Sequence, residues 1–137
     1  MTGERTLSGL ARPEALEDLH HFVVGLRREH PSVGSQTLTR VETALTELLG
    51  NVVEHGQPPL EVRYALAVTV TDSAVEAVLT DDSRMAAPSA AGEMPEVWAE
   101  SGRGLPLAEA LADELVHEPT ADGNCWRMVV GRAGTAG

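Results

Sequence analysis

Glu47-Leu48-Leu49-Gly50-Asn51-Val52-Val53-Glu54-His55-Gly56 is the stretch on which the reading of this chain turns. It sets a carboxylate, a carboxamide and an imidazole four residues apart in an otherwise apolar helical run. Residues at that spacing lie one above another on a helix. Glu47, Asn51 and His55 therefore form a polar stripe, flanked by Leu45, Leu48, Leu49, Val52 and Val53. A buried Asn or Glu is costly unless something satisfies it. Two accounts stay open on these residues alone. One is a local hydrogen-bonded network, or a helix face grazing solvent. The other puts the Asn51 side-chain oxygen on Mg²⁺, which takes oxygen ligands and favours substrate phosphates. Glu47, one turn earlier, would then hold or deprotonate a nucleophile. His55 reads as a C-terminal residue facing the helix dipole rather than as a ligand.

Outward from this stretch the chain alternates between two periods. Residues 4–10 suit a short first strand, and Pro13 a first-turn position of a helix. Leu16, Leu19, His20, Val23 and Val24 then repeat at helical spacing, and Arg27-Arg28 suit the helix end. Pro31-Ser32-Val33-Gly34 is a break. Ser35 can cap the second helix, whose apolar positions Leu38, Val41, Leu45, Leu48, Leu49 and Val52 keep the same period. Gly56-Gln57-Pro58-Pro59 ends it. Val62, Tyr64, Leu66, Val68 and Val70 alternate as in a half-buried strand. Asp72-Ser73 marks a turn into a hairpin partner carrying Val75, Ala77 and Leu79. Residues 84–101 are rich in Ala, Pro, Ser, Gly and Met without a period, as expected of a functional lid or a linker. A third helix runs from Leu105 to about Ala112. Leu115–Glu118 and Trp126–Val130 read as two closing strands around the turn Thr120–Gly123, and a tail expected to fray begins near Gly131. Helices gathered on one face of a mostly antiparallel sheet make an α+β, two-layer α/β sandwich.

Composition narrows the function classes. The 137 residues are most simply one domain with a real core. Aromatic residues are only 3%, so that core must be aliphatic. The net charge of −11 argues against nucleic acid, whose phosphates need Lys and Arg, and against anionic membrane. It suits protein or small-molecule partners. The single cysteine, Cys125, excludes an intrachain disulfide and reads as a small packed residue. No signal-peptide pattern or membrane-spanning run is evident, so the expected location is the cytoplasm.

Two further segments carry chemistry. Ser101-Gly102-Arg103-Gly104-Leu105 opens a helix with glycines. Such an opening lets backbone amides and the helix dipole meet a phosphate. It is not a P-loop, because no Gly-Lys-Ser/Thr follows. Arg103 reads either as a contact to a terminal phosphate or as a solvated side chain. Asp81-Asp82-Ser83 ends a strand. Its aspartates either solvate a turn or offer an acceptor to an adenine amino group.

The order of these segments resembles that of the GHKL (Bergerat-fold) ATPases, and specifically their small anti-sigma-factor and serine protein kinase branch. The resemblance spans about residues 5–131. Glu47-x-x-x-Asn51 with His55-Gly56 is similar to the family's N box. Asp81-Asp82-Ser83 stands where its Asp-x-Gly box would be, with Ser83 in place of the glycine. Ser101-Gly102-Arg103-Gly104-Leu105 matches its second glycine box. Leu111–Glu114 and Gly123–Trp126 look like its usual ending. The resemblance implies a Bergerat ATP-binding fold with ATP and Mg²⁺ as cofactors. It implies Asn51 on Mg²⁺ with the ATP phosphates, and Asp81 with Ser83 at adenine. Ser101, Gly102, Arg103, Gly104 and Leu105 would shape a phosphate-covering lid over 84–103. Glu47 would activate a substrate hydroxyl. The implied partners are a sigma factor and an anti-sigma-factor antagonist phosphorylated on serine or threonine, with a homodimer suggested.

The function expected from the sequence is thus a cytoplasmic anti-sigma regulatory factor that binds ATP and acts as a serine/threonine protein kinase. Its first rival is a non-catalytic protein-binding module of the same fold with weak or no nucleotide binding. Glu100, beside the glycine box, favours that rival because a carboxylate there repels a terminal phosphate. A sensor kinase with its own phosphoacceptor domain is not expected from 137 residues, and a ligand-free structural domain is the remaining alternative.

Overall fold

The structure, a computed structural model, describes residues 3–55, 61–83 and 104–132. Strand β1 (Gly3–Leu10) is followed by helices α1 (Glu14–Glu29) and α2 (Ser35–His55). The hairpin β2 (Arg63–Val70) and β3 (Ala74–Asp81) comes next. Helix α3 (Gly104–Leu111) leads into β4 (Glu114–Pro119) and β5 (Asn124–Gly131). The strands form one sheet in the order β1-β2-β3-β5-β4, with every pairing antiparallel. The fold is α+β, as the periods predict.

The period-2 runs decide which sheet face is covered. Tyr64, Leu66, Val68 and Val70 of β2 are buried, and so are Val75, Ala77 and Leu79 of β3 and Trp126, Met128 and Val130 of β5. Arg63 and Ala65 between them are exposed. The helices supply the opposing layer through Leu19, Phe22, Val23 and Leu26 of α1 and Leu38, Val41, Leu45, Leu48 and Leu49 of α2. Most of these side chains are aliphatic, as the low aromatic content requires. Each fully buried Leu or Val contributes about 1.5–3 kcal/mol. A polar residue on that face must therefore have its own reason to be there.

Several polar contacts orient α2 on the sheet. The Arg132 guanidinium donates to the Thr71 carbonyl in the β2–β3 turn at 2.9 Å and to the Ser32 carbonyl just ahead of α2 at 3.0 Å. The start of α2 thus lies at the β2–β3 turn. Asn51, 16 residues beyond Ser35, sits about 24 Å further along the axis at 1.5 Å per residue. An eight-residue strand spans about 26 Å. Asn51 and Asp81 consequently belong to the same end of the sandwich. Helix α3 packs against α2, and Arg40 Nε on α2 donates to the Leu111 carbonyl at 3.0 Å, capping the last turn of α3.

One boundary differs in kind from the reading of the sequence, the end of β5. Gly131, expected in the tail, is the last residue of β5, and Arg132 is held by its bonds to Thr71 and Ser32. The cause is pairing: β5 lies between two strands, so its ladder runs on opposite Ala74. The lid expected over 84–103, the break at 56–59 and the rest of the tail lie outside the described residues.

Candidate functional site

Asn51 is 4% exposed, on α2 among the buried Leu48, Leu49, Val52 and Val53. Its Nδ2 is buried and has no hydrogen-bond partner among the described residues. Leaving such a donor unpaired costs about 1–3 kcal/mol, and no described residue supplies the local network that would satisfy it. Glu47 is half-buried one turn earlier on the same face. Helix α2 is described as far as His55.

A second polar group stands at the sheet end. Tyr64, Asp81 and Asn124 are in register on β2, β3 and β5. All three are at most 8% exposed. The next row inward is Leu66, Leu79 and Trp126, all buried. The sheet thus closes its core with one polar row. Asp81 Oδ1 accepts from the Ser83 backbone N at 2.9 Å and from Asn124 Nδ2 at 3.2 Å. Burial pushes the Asp81 carboxyl above its ordinary range, against the opposing pull of those two donors. Burial likewise raises Tyr64, aided by the negative charge of Asp18 on α1.

Ser83, where the resemblance leads one to expect glycine, is also buried, and its backbone amide rather than its side chain meets Asp81. Asp82 points elsewhere: its Oδ1 accepts from Arg63 N at 2.7 Å, so it pairs β2 with the end of β3. Of the two aspartates, only Asp81 belongs to the inner face. A cleft of about 340 Å³ also reaches this end, lined by Tyr64 and Asp81 and by Arg63, Ala65, Thr80, Asp82, Thr120 and Asp122. Glu47 and Asn51 do not line it.

The strand end is held by close packing. A Cβ on Gly123 would stand 1.9 Å from the Asp81 carbonyl oxygen and 2.7 Å from Asp82 Cα. Only glycine lets the β4–β5 turn lie against the backbone of Asp81 and Asp82. The turn closes on itself through Thr120 N to the Gly123 carbonyl at 2.8 Å.

Gly104 and Leu105 are the first two residues of α3. Ser101, Gly102 and Arg103 lie outside the described residues. Asn124 and His117 were not among the candidates read from the sequence. A signal was present: Asn124 is two residues before Trp126 and four before Met128, an amide in phase with an apolar strand face. Its pairing with Asp81, 43 residues away, comes from sheet order alone.

The sequence model of the histidine kinase-like ATPase domain matches residues 10–130. The chain belongs to this family. It is an ATP-binding, histidine kinase-like ATPase domain, and the matched span runs from the end of β1 to nearly the end of β5. A search of curated proteins gives no match. The donors and acceptors fit the nucleotide the family binds. Asn51 offers a buried amide whose Nδ2 has no described protein partner, and Asp81 offers a buried carboxylate at the same end of the sandwich. Among the described residues no helix is long and apolar enough to cross a membrane.

Proposed function

We propose that this histidine kinase-like ATPase domain is a cytoplasmic anti-sigma regulatory factor. In this reading it binds Mg-ATP and phosphorylates an antagonist protein on serine or threonine. The observation that carries the nucleotide site is the buried Asn51 amide, whose Nδ2 has no partner among the described residues. The Asn51 oxygen is of the type Mg²⁺ takes, and its Nδ2 can donate to a phosphate oxygen. Bound Mg²⁺ would neutralise phosphate charge as it develops. Asp81 accepts a hydrogen bond from the adenine amino group. Gly102 and Gly104, with Ser101, Arg103 and Leu105, would cover the phosphates, and residues 84–103, outside the described residues, are the proposed lid.

Glu47 is the group that would orient the incoming hydroxyl and take its proton. It stands one helical turn from Asn51 and is half-buried. Among the described residues no hydrogen bond or ion pair engages it. Positioning and electrostatics would carry the transfer. A sigma factor and its antagonist are the proposed partners, and a homodimer the proposed assembly.

Calorimetric titration with Mg-ATP tests the site: saturable heat is expected, and its absence would leave a ligand-free structural domain. Labelled ATP with a serine-bearing antagonist tests the chemistry. Phosphorylated partner supports the kinase. Tight binding with no phosphorylated partner supports the non-catalytic module that Glu100 favours.

A further inference from the structure

The Asp81 carboxylate is the last acceptor in a chain of three side chains. His117 Nε2 on β4 lies 2.9 Å from Asn124 Oδ1 on β5. Asn124 Nδ2 lies 3.2 Å from Asp81 Oδ1 and 3.5 Å from the Ser83 carbonyl. Both neighbours of Nδ2 are acceptors, so the amide is oriented with its donor toward them. Its Oδ1 must then receive a hydrogen, and His117 is the group that supplies one. The imidazole therefore carries hydrogen on Nε2, whether neutral or charged. Its ring is itself held against the buried Trp126, with centroids 4.3 Å apart and planes at 44°. Asn124 is 4% exposed, so no water-filled route replaces these contacts cheaply.

We infer that Asn124 and His117 are positioning residues that set the base selectivity of this site, by holding Asp81 in one rotamer with one oxygen already occupied. The inference rests on the adenine-binding role proposed for Asp81. Oδ1 takes two donors, Ser83 N and Asn124 Nδ2. Among the described residues no donor reaches Oδ2. That oxygen is left to accept from an exocyclic amino group, as on a 6-aminopurine. A 6-oxopurine presents an acceptor there instead and is repelled by an ionised, immobile carboxylate. The selectivity therefore needs Asp81 both fixed and ionised. Burial opposes ionisation, and the Asn124 amide supports it. Without that amide the carboxyl can rotate, or bind a proton and donate to the 6-oxo group.

The test compares dissociation constants of Mg-ATP and Mg-inosine triphosphate, two nucleotides that differ at the 6-position. Asn124→Leu, which keeps side-chain volume, and His117→Phe, which keeps the ring on Trp126, are the variants. His117→Gln, which keeps a donor, is the rescue. Wild type is expected to prefer ATP. The preference should fall about tenfold in Asn124→Leu and severalfold in His117→Phe, and return in His117→Gln. Because His117 is partly exposed, its variants serve even if Asn124→Leu does not fold. Equal weakening of both nucleotides, or an unchanged ratio, overturns the inference while leaving the nucleotide site standing. Absence of ATP binding in wild type overturns the site and the inference together.

Discussion

Asn51 and Asp81 show how one residue is judged by what surrounds it. An amide inside a satisfied network costs stability when truncated, whereas one with an unpaired buried donor costs little. Asn51→Ala should therefore leave the melting temperature of the nucleotide-free protein within a few degrees of wild type, because the lost packing is offset by removal of an unpaired donor. The same variant should lose the Mg-ATP response. A large loss of stability with ATP binding intact would remove Asn51 from the site. Glu47→Ala separates the neighbouring role: phosphoryl transfer should disappear while ATP affinity stays near wild type.

Asp81 makes a pH prediction with a definite sign. Its folded-state pKa is raised, chiefly by burial. Its contribution to stability is therefore fully present below the unfolded aspartate pKa and is lost as pH rises through the folded value. At neutral pH the ionised carboxylate is a net cost to the fold. Asp81→Asn keeps the shape and removes that cost. Thermal melts should show the variant more stable than wild type near pH 7, with the gain shrinking as pH falls through the acid range. ATP binding should fall at the same time, since an amide in this position can offer its donor to the base. A variant less stable than wild type at neutral pH would contradict the direction of the shift.

At the scale of elements, the β4–β5 hairpin is as much part of the site as the helix carrying Asn51. Its turn lies against Asp81 and Asp82 because Gly123 has no side chain. The opposing atoms are backbone and cannot swing aside. Gly123→Ala should cost about 3 kcal/mol, the upper end of overpacking penalties, and lower the melting temperature by about 10 °C in a chain of this size. Nucleotide affinity should fall with it, because the strand end that carries Asp81 must move. A melting temperature unchanged by this substitution would mean the turn is free to shift. The periods made nearly all of these elements legible. Tyr64, Leu66, Val68 and Val70 alternate, and Leu38 through Val52 follow a helical repeat, so each segment declares its buried face. Gly131, a small residue near the terminus, reads as frayed in the sequence, whereas its pairing with Ala74 of β3 and its amide's bond to the Asp113 carboxylate hold it in place.

At the scale of the molecule, the site lies where two layers meet at one end of the sandwich. A ligand that binds only this folded arrangement stabilises all of it. Mg-ATP at about 100 times its dissociation constant should add about 2.7 kcal/mol, seen as a rise of roughly 10 °C in melting temperature. A denaturant series would locate the same gain in the midpoint.

The sequence by itself determined the elements, the aliphatic core, the α+β class and the Glu47–Asn51 stripe. These follow from local spacing: a helix or strand writes its period into neighbouring residues. It also placed Asp81 at a strand end. Tertiary structure alone decided that Asn124 and His117 stand behind Asp81, and that Asp82 is spent on the Arg63 amide. Those contacts depend on β5 inserting between β3 and β4. Hydrogen bonding between residues 43 positions apart leaves no periodic trace in the chain. It arises only when the strands pair and one register is chosen.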